Sequence, residues 1–385
     1  MAMALGTLSI ANNGNSIFGK GAIDHLSENL LVLGVSRPLI ITDQGILNAG
    51  LLEKLLSRIS GFPGHSVFLE TPSNPNEASV EAAASKFRSD SCDSIIGFGG
   101  GSSLDLAKAA GLRATHEGSL DIYTTQNQGV RIIGETPPLI AIPTTAGTGS
   151  EVARAAVIIL ENGEKRIIAS PKLVPDVAIL DPMLTIGLPP LLTAATGMDA
   201  VTHCIEAVLS PIINPTAEAI GLCGLSEALG EGALLAAVED GNNEAARNSM
   251  MAVSTQGAMA FSKGLGAVHA MSHACGKDEK LRLHHGTLNA VLLPVVLQRN
   301  ETVAGEKYPR IADAIRIPCK SDLAAFFLSL NSKLGLPANL AEMGITPDMI
   351  PDLALHASID FCSATNPVSL DVTDYESLFH QALFC

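Results

Sequence analysis

Two apolar, helix-like stretches of this 385-residue chain are interrupted by side chains that bind metals well. In "GMDAVTHCIEA", Asp199 and His203 stand four residues apart. In "GLGAVHAMSHACG", His269 and His273 repeat that spacing, and His284 and His285 follow in "LRLHHGTLNAVLLP". Residues i and i+4 of a helix share one face, so each pair sets two donors side by side. A carboxylate among imidazoles suits a first-row divalent ion: Fe2+, Zn2+, Co2+ or Ni2+. The plainer reading is a few hydrogen-bonded core histidines and surface polarity. The chain has ten histidines and five of them fall in these segments, which favours a metal centre.

Two glycine-bearing loops carry a second kind of chemistry. "SIIGFGGGSSLDLAKAAG" reads as a strand, a glycine run and a helix. Gly99, Gly100 and Gly101 let a ligand approach the backbone. Ser102 is expected to cap the helix, with Asp105 completing a variant capping box. The helix N-terminus then offers N–H groups to a dinucleotide pyrophosphate; the alternative is a tight, well-capped turn. "AIPTTAGTGSE" follows another expected strand and offers the hydroxyls of Thr144, Thr145 and Thr148. Asp43 ends the run "LIITD", where an acid either accepts from a ribose, favouring NAD over NADP, or caps a helix.

The elements that must hold these residues divide the chain. "PLIITD" (38–43), "HSVFLE" (65–70), "DSIIGFG" (93–99), "PLIAIPT" (138–144) and "VAILDP" (177–182) are short, apolar and β-branched. Helical patterns such as "GILNAGLLEKLLSRI" and "NEASVEAAASKFRS" lie between them. That alternation predicts a mostly parallel sheet in a Rossmann-like α/β domain, with strands buried on both faces. Past "LPPLLTAATG" the strand signals stop, and Ala- and Leu-rich helical patterns run to the end. The expected division is a dinucleotide-binding α/β domain over 1–187 and an all-helical metal-binding and substrate domain over 188–385.

Composition excludes several other functions. Apolar residues make up 47% of the chain and charged residues 16%, as in a globular protein. A net charge of -15 leaves no basic stripe for nucleic acid. No uninterrupted apolar run is long enough to span a membrane. The seven scattered cysteines form no CxxC pair and read as reduced thiols. The opening "MAMALGTLSIANNG" does not read as a signal peptide, so a cytoplasmic protein is expected.

Taken together, "FGGGSSLDLAK", "PTTAGTGSEV", "GMDAVTHCIEA" and "GLGAVHAMSHACG…HHGTLNAVLLP" resemble the iron-containing (group III) alcohol dehydrogenase family, in that family's order and over essentially the whole chain. The resemblance implies the dehydroquinate synthase-like fold and metal ligands at Asp199, His203, His269 and His285. It implies cofactor contacts at Asp43, Gly99, Gly100, Gly101, Ser102, Asp105, Thr144, Thr145 and Thr148. His273 falls on a position beside the substrate that relays protons, so His273, Asp199 and His269 are the expected catalytic residues. The cofactors implied are Fe2+, or Zn2+ or another divalent ion in its place, and NAD rather than NADP. A homodimer or higher homo-oligomer is expected by the same likeness. One feature departs from the family: the gap from His269 to His285 is longer than usual, and the charged "KDEKLRL" fills it. His284 therefore stays open as the alternative fourth ligand.

The activity implied is reversible hydride transfer between a small primary alcohol and NAD, with the metal polarising the oxygen. Diols and ω-hydroxy acids fall within that range. Lys277, Lys280 and Arg282 in the altered segment suit a small anionic substrate, or form a solvated loop. The rival readings are a maleylacetate reductase-like enzyme, a dehydroquinate synthase or glycerol phosphate dehydrogenase type, and a non-catalytic NAD-binding sensor.

Overall fold

The computed structural model describes residues 15–277, 281 and 283–384. They fall into two compact units: one runs to Thr145 and includes Gly149–Ile186, and the other comprises Ala146–Thr148 and the chain from Gly187 onward.

In the first unit, the five apolar runs read from the sequence are strands: β2 (Pro38–Ile41), β3 (Ser66–Phe68), β4 (Ser94–Gly99), β5 (Leu139–Pro143) and β8 (Val177–Leu180). With β1 (Asn15–Phe18) they form a parallel six-stranded sheet in the order β1-β8-β5-β4-β2-β3. Every residue of β2, β4, β5 and β8 is buried, whereas β1 and β3 at the edges are partly exposed. Strands rich in Ile, Leu and Val with no polar alternation need cover on both faces. Two apolar clusters supply it, one including Leu106, Ala109 and Val80, the other Leu26, Leu30 and Leu55. The expected helix over "GILNAGLLEKLLSRI" is two helices, Gln44–Asn48 and Leu51–Arg58. Gly50 breaks it at φ +71, a left-handed conformation that glycine adopts readily.

The sequence reading missed one antiparallel pair, β6 (Ala155–Ile159) and β7 (Lys165–Ala169). Its signal is present: two β-branched runs flank Asn162-Gly163, and Gly163 has φ +78. A buried lysine ties this hairpin down. Lys108 is 1% exposed, and its ammonium donates to Ser150 O at 2.5 Å, Ser150 Oγ at 2.8 Å, Ala153 O at 2.9 Å and Ala155 O at 2.8 Å. Three N–H groups serve four acceptors, so at least one is shared. Burial pulls the Lys108 pKa down to about 8, against the pull of neighbouring Asp105 and Glu151.

The second unit is helical. Its helices include Pro190–Leu209, Glu244–Ala260, Ala267–Cys275, His285–Ala304 and Ile350–Ile359, around one apolar core. Every residue of the first of these from Thr193 to Leu209 is buried. Its C-terminal carbonyls are met by two lysines: Lys263 donates to Val208 O and Ser210 O at 3.1 and 3.0 Å, and Lys307 donates to Ser210 O at 2.7 Å. Cations at that end also complement the helix dipole. Among the described residues no single helix is long and apolar enough to cross a membrane.

Replacing Lys108 with Met leaves buried carbonyls and the Ser150 hydroxyl without their donor. The expected loss of stability is about 3–5 kcal/mol, read by urea denaturation. Replacing exposed Lys172, which pairs with Glu135, is expected to cost less than about 1 kcal/mol.

Candidate metal centre and dinucleotide loops

Asp199, His203 and Glu206 occupy positions i, i+4 and i+7 in the buried part of the helix Pro190–Leu209, so they share one face. The His285 helix (His285–Ala304) packs against it, and the His269 helix (Ala267–Cys275) packs against the His285 helix and reaches Glu206 through hydrogen bonds. Close approach of the His285 helix requires Gly286, because a Cβ there would collide with the carbonyl oxygen of Ala195. The glycine of "HHG" therefore lets the imidazole before it reach the Asp199 face.

Three imidazoles converge on a single carboxylate oxygen. Asp199 Oδ1 lies 3.7 Å from His203 Nε2, 3.7 Å from His269 Nε2 and 3.6 Å from His285 Nε2. One ligand atom each from Asp199, His203 and His269 lies within 4.8 Å of the others. These separations are too long for hydrogen bonds. Four tetrahedral ligands at about 2.0–2.2 Å from one ion stand roughly 3.4 Å apart. The donors of Asp199, His203 and His269 therefore fit one divalent cation in type and spacing, and His285 approaches the same carboxylate oxygen.

The outer nitrogens of two rings are engaged. His269 Nδ1 donates to Glu206 Oε2 at 2.6 Å, while Glu206 Oε1 accepts from Val268 N at 2.8 Å. His285 Nδ1 bonds Ser272 Oγ at 2.8 Å. Such partners fix the tautomer and turn Nε2 toward Asp199. The electrostatics follow. Burial opposes ionisation of Asp199, but His203, His285 and His269 outweigh it and hold the acid well below the usual carboxylate range. Burial pushes His203 down to about 4 despite Asp199. His269 is as buried, yet Glu206 and Asp199 raise it to about 9.

The two remaining histidines take other places. His284 caps its helix, with Nδ1 accepting from Thr287 N at 3.4 Å, so the structure brings His285 and not His284 to Asp199. His273 turns its Nδ1 to Asp360 Oδ2 at 3.1 Å and stacks on His285 with ring centroids 5.5 Å apart. Burial works against the Asp360 charge, but His273 and the Cys362 amide keep its pKa low.

In the other unit, β3 lies at the sheet edge and the chain returns to place β4 on the opposite side of β2. This reversal is a topological switch point, where open α/β sheets bind ligands at the strands' carboxyl ends. Asp43 and Gly99–Gly100 stand there, after β2 and β4. Gly99 has φ +150, and a Cβ on it would fall 2.6 Å from Ser103 Oγ and 3.3 Å from Asp43 Oδ2. Asp43 caps the short helix Gln44–Asn48, its Oδ1 accepting from Ile46 N at 3.0 Å. Thr144 extends the ladder through its N–H to Gly99 O at 2.9 Å, and Thr145 faces Gly100. Thr148 belongs with Ala146 and Gly147 to the helical unit, where Gly147 lies so near Thr196 that a Cβ would sit 2.7 Å from its carbonyl oxygen.

The expected capping box does not form. The helix Gly101–Thr115 has Gly100 as N-cap and no side-chain cap. Ser102 already lies in the first turn and donates to Ser73 O at 2.5 Å. Asp105 accepts from Ser150 Oγ at 2.6 Å and Val157 N at 3.0 Å, so it braces the Thr-rich loop rather than the helix end. The Ser103 N–H bonds Gly100 O at 3.0 Å, and a helix start without a side-chain cap is the kind of place that can receive an anion. Lys280 and Arg282 lie outside the described residues, and Lys277 pairs with Asp352 at 2.5 Å.

Four neighbours of the site were not read from the sequence: Glu206, Ser272, Asp360, and Asn289, whose Nδ2 donates to Asp199 Oδ1 at 2.7 Å. Glu206 and Asn289 carry a helical signal, three residues after His203 and four after His285. Asp360 carries none, since the fold alone brings it to His273.

Comparison with known proteins gives one answer along the chain. Residues 13–182 match the profile "Iron-containing alcohol dehydrogenase", and residues 193–383 match "Fe-containing alcohol dehydrogenase family, C-terminal". A 4-hydroxybutyrate dehydrogenase of Cupriavidus necator is 45% identical, over 94% of this chain and 96% of that protein. A 1,3-propanediol dehydrogenase of Klebsiella pneumoniae is 35% identical, over 95% and 96%. A crystal structure of 1,3-propanediol oxidoreductase superposes with a TM-score of 0.91 at 34% identity, covering 98% of this chain and 100% of that one.

A divalent ion must displace the proton from His269, so loading is expected to tighten as pH rises toward about 9. Glu206→Gln removes the main support of that raised value. It should weaken metal retention about 10- to 100-fold and move the pH dependence to lower pH, both read by chelator competition across pH.

Proposed function

The chain belongs to the iron-containing alcohol dehydrogenase family, and from that premise we propose that its substrate is a short ω-hydroxy acid, with 4-hydroxybutyrate as the reference compound. It is a metal-dependent NAD(H) oxidoreductase that interconverts a small alcohol and its aldehyde. The 45% identity to a 4-hydroxybutyrate dehydrogenase supports the ω-hydroxy acid over a plain diol.

The convergence of three imidazole nitrogens on Asp199 Oδ1, at 3.6 to 3.7 Å, carries the reading of the chemistry. Asp199, His203, His269 and His285 would hold the ion. Bound there, a divalent ion supplies Lewis acidity, which makes an alcohol proton easier to lose and a carbonyl carbon easier to attack. NAD supplies the hydride acceptor.

The chain's own residues do the rest. His273 donates its Nδ1–H to Asp360 Oδ2, which leaves the Nε2 lone pair to take up the proton released on alcohol oxidation. The backbone N–H groups that open the helix Gly101–Thr115, that of Ser102 among them, and the hydroxyls of Thr145 and Thr148 are assigned to the dinucleotide phosphates. Gly99, Gly100 and Gly101 keep that approach free of side chains, Thr144 holds the loop to β4, and Asp105 braces it through Ser150. Asp43 is assigned to the ribose, with its charge disfavouring a 2′-phosphate. The protein is placed in the cytoplasm, acting as a homodimer or a larger homo-oligomer.

The test is NADH formation by the anaerobically Fe2+-loaded protein with 4-hydroxybutyrate, 1,3-propanediol and ethanol, with and without a chelator. The expected result is chelator-sensitive turnover with the highest kcat/KM for 4-hydroxybutyrate. A preference for the diol would overturn the substrate assignment, and activity that survives both the chelator and His269→Ala would overturn the metal-centred chemistry. Asp43→Ser should raise the use of NADP+ relative to NAD+ by at least about tenfold, as expected when a charge facing the 2′-phosphate is removed.

A further inference from the structure

One buried group at the metal centre has no part in the ligand set. Asn289 is 0% exposed and lies four residues after His285, on the same helix face. Its Nδ2 donates to Asp199 Oδ1 at 2.7 Å and stands 3.2 Å from both His269 Nε2 and His285 Nε2. Its Oδ1 is buried without a hydrogen-bond partner.

A carboxylate oxygen has more than one lone pair, so Asp199 Oδ1 can ligate an ion and still accept from an amide. The imidazole Nε2 atoms have one lone pair each, which the ion takes. Of the three neighbours of Nδ2, Asp199 Oδ1 is therefore the acceptor that persists in the loaded protein. An amide held on Oδ1 keeps that oxygen turned toward the imidazoles and resists rotation of the carboxylate to ligation through both oxygens. A carboxylate bound through one oxygen keeps the coordination number low, and geometry rather than raw affinity selects among first-row ions.

Resting on the reading that this centre holds a divalent ion, we propose that Asn289 is a positioning residue: its carboxamide fixes Asp199 in one-oxygen ligation and so sets how tightly, and in what geometry, the ion is held.

The test uses Co2+ as the probe, added to the metal-stripped full chain. It reads affinity by chelator competition and geometry by the visible d–d absorption, which is intense for four-coordinate Co2+ and weak at higher coordination. The wild type is expected to bind one Co2+ with intense absorption. Asn289→Ala should weaken binding about 10- to 100-fold and reduce the band intensity as Asp199 turns to ligate through both oxygens. Asn289→Leu keeps the branched shape, lacks the donor and removes the unpartnered oxygen. It should match the Ala variant in metal binding, while thermal unfolding of its metal-free form occurs no lower than in the wild type. Unchanged affinity and spectrum in both variants would overturn the proposal. Loss of the metal-free fold in both would also overturn it, by making Asn289 a packing residue. Failure of the wild type to bind Co2+ would instead remove the metal reading on which the proposal rests.

Discussion

A carboxylate inside an otherwise apolar helix is the constraint on which the helical unit depends. Asp199 sits in a run that is buried from Thr193 to Leu209. Stripping water from an ion costs several kcal/mol even after relaxation, so the fold must return that stabilisation locally. It does so from three helices at once: His203 from the same helix, His269 from the second, His285 and Asn289 from the third. Each partner then has its own requirement. His269 needs Glu206, His285 needs Ser272, and the His285 helix approaches only because residue 286 has no side chain. Lys263 and Lys307 hold the far end of the central helix. The site is the inner face of the helical core, built from the same residues that pack it.

The α/β unit solves a different problem. The site proposed for the dinucleotide would be made by the backbone: the strand order reverses around β2 at the sheet's carboxyl edge, and Gly99 lets Ser103 and Asp43 come within reach of each other. Side chains act behind this surface. Lys108 and Asp105 both bind Ser150, and they fasten the start of the β6–β7 hairpin through Ala155 O and Val157 N. The Thr-rich loop is thereby held by charge and hydrogen bonds, where the metal centre is held by helix packing.

How much of this was legible depends on the range of the interaction. The four interior runs announced themselves by composition, because strands covered on both faces carry no polar alternation, and β3 at the edge by its β-branched and aromatic residues. The i, i+4 spacing exposed Asp199 with His203, and His269 with His273. Capping was misread at Ser102 and Asp105: a Ser three residues before an Asp resembles a cap, and only the position of the helix start shows that Ser102 is inside it. Choosing between His284 and His285 required the helix start as well, since one caps and the other faces inward. Asp360 could not be read at all. Its partnership with His273 spans 87 residues and is set by the packing of Ile350–Ile359.

X-ray absorption at the metal edge of the Fe2+-loaded protein tests the central claim most directly. Coordination by Asp199 and three histidines predicts a first shell of light atoms at about 2.0–2.2 Å, with the multiple-scattering signature of three imidazoles and no sulfur. A sulfur shell at about 2.3 Å, or fewer than three imidazoles, would contradict it and move the ion elsewhere, as toward Cys362 beside Asp360.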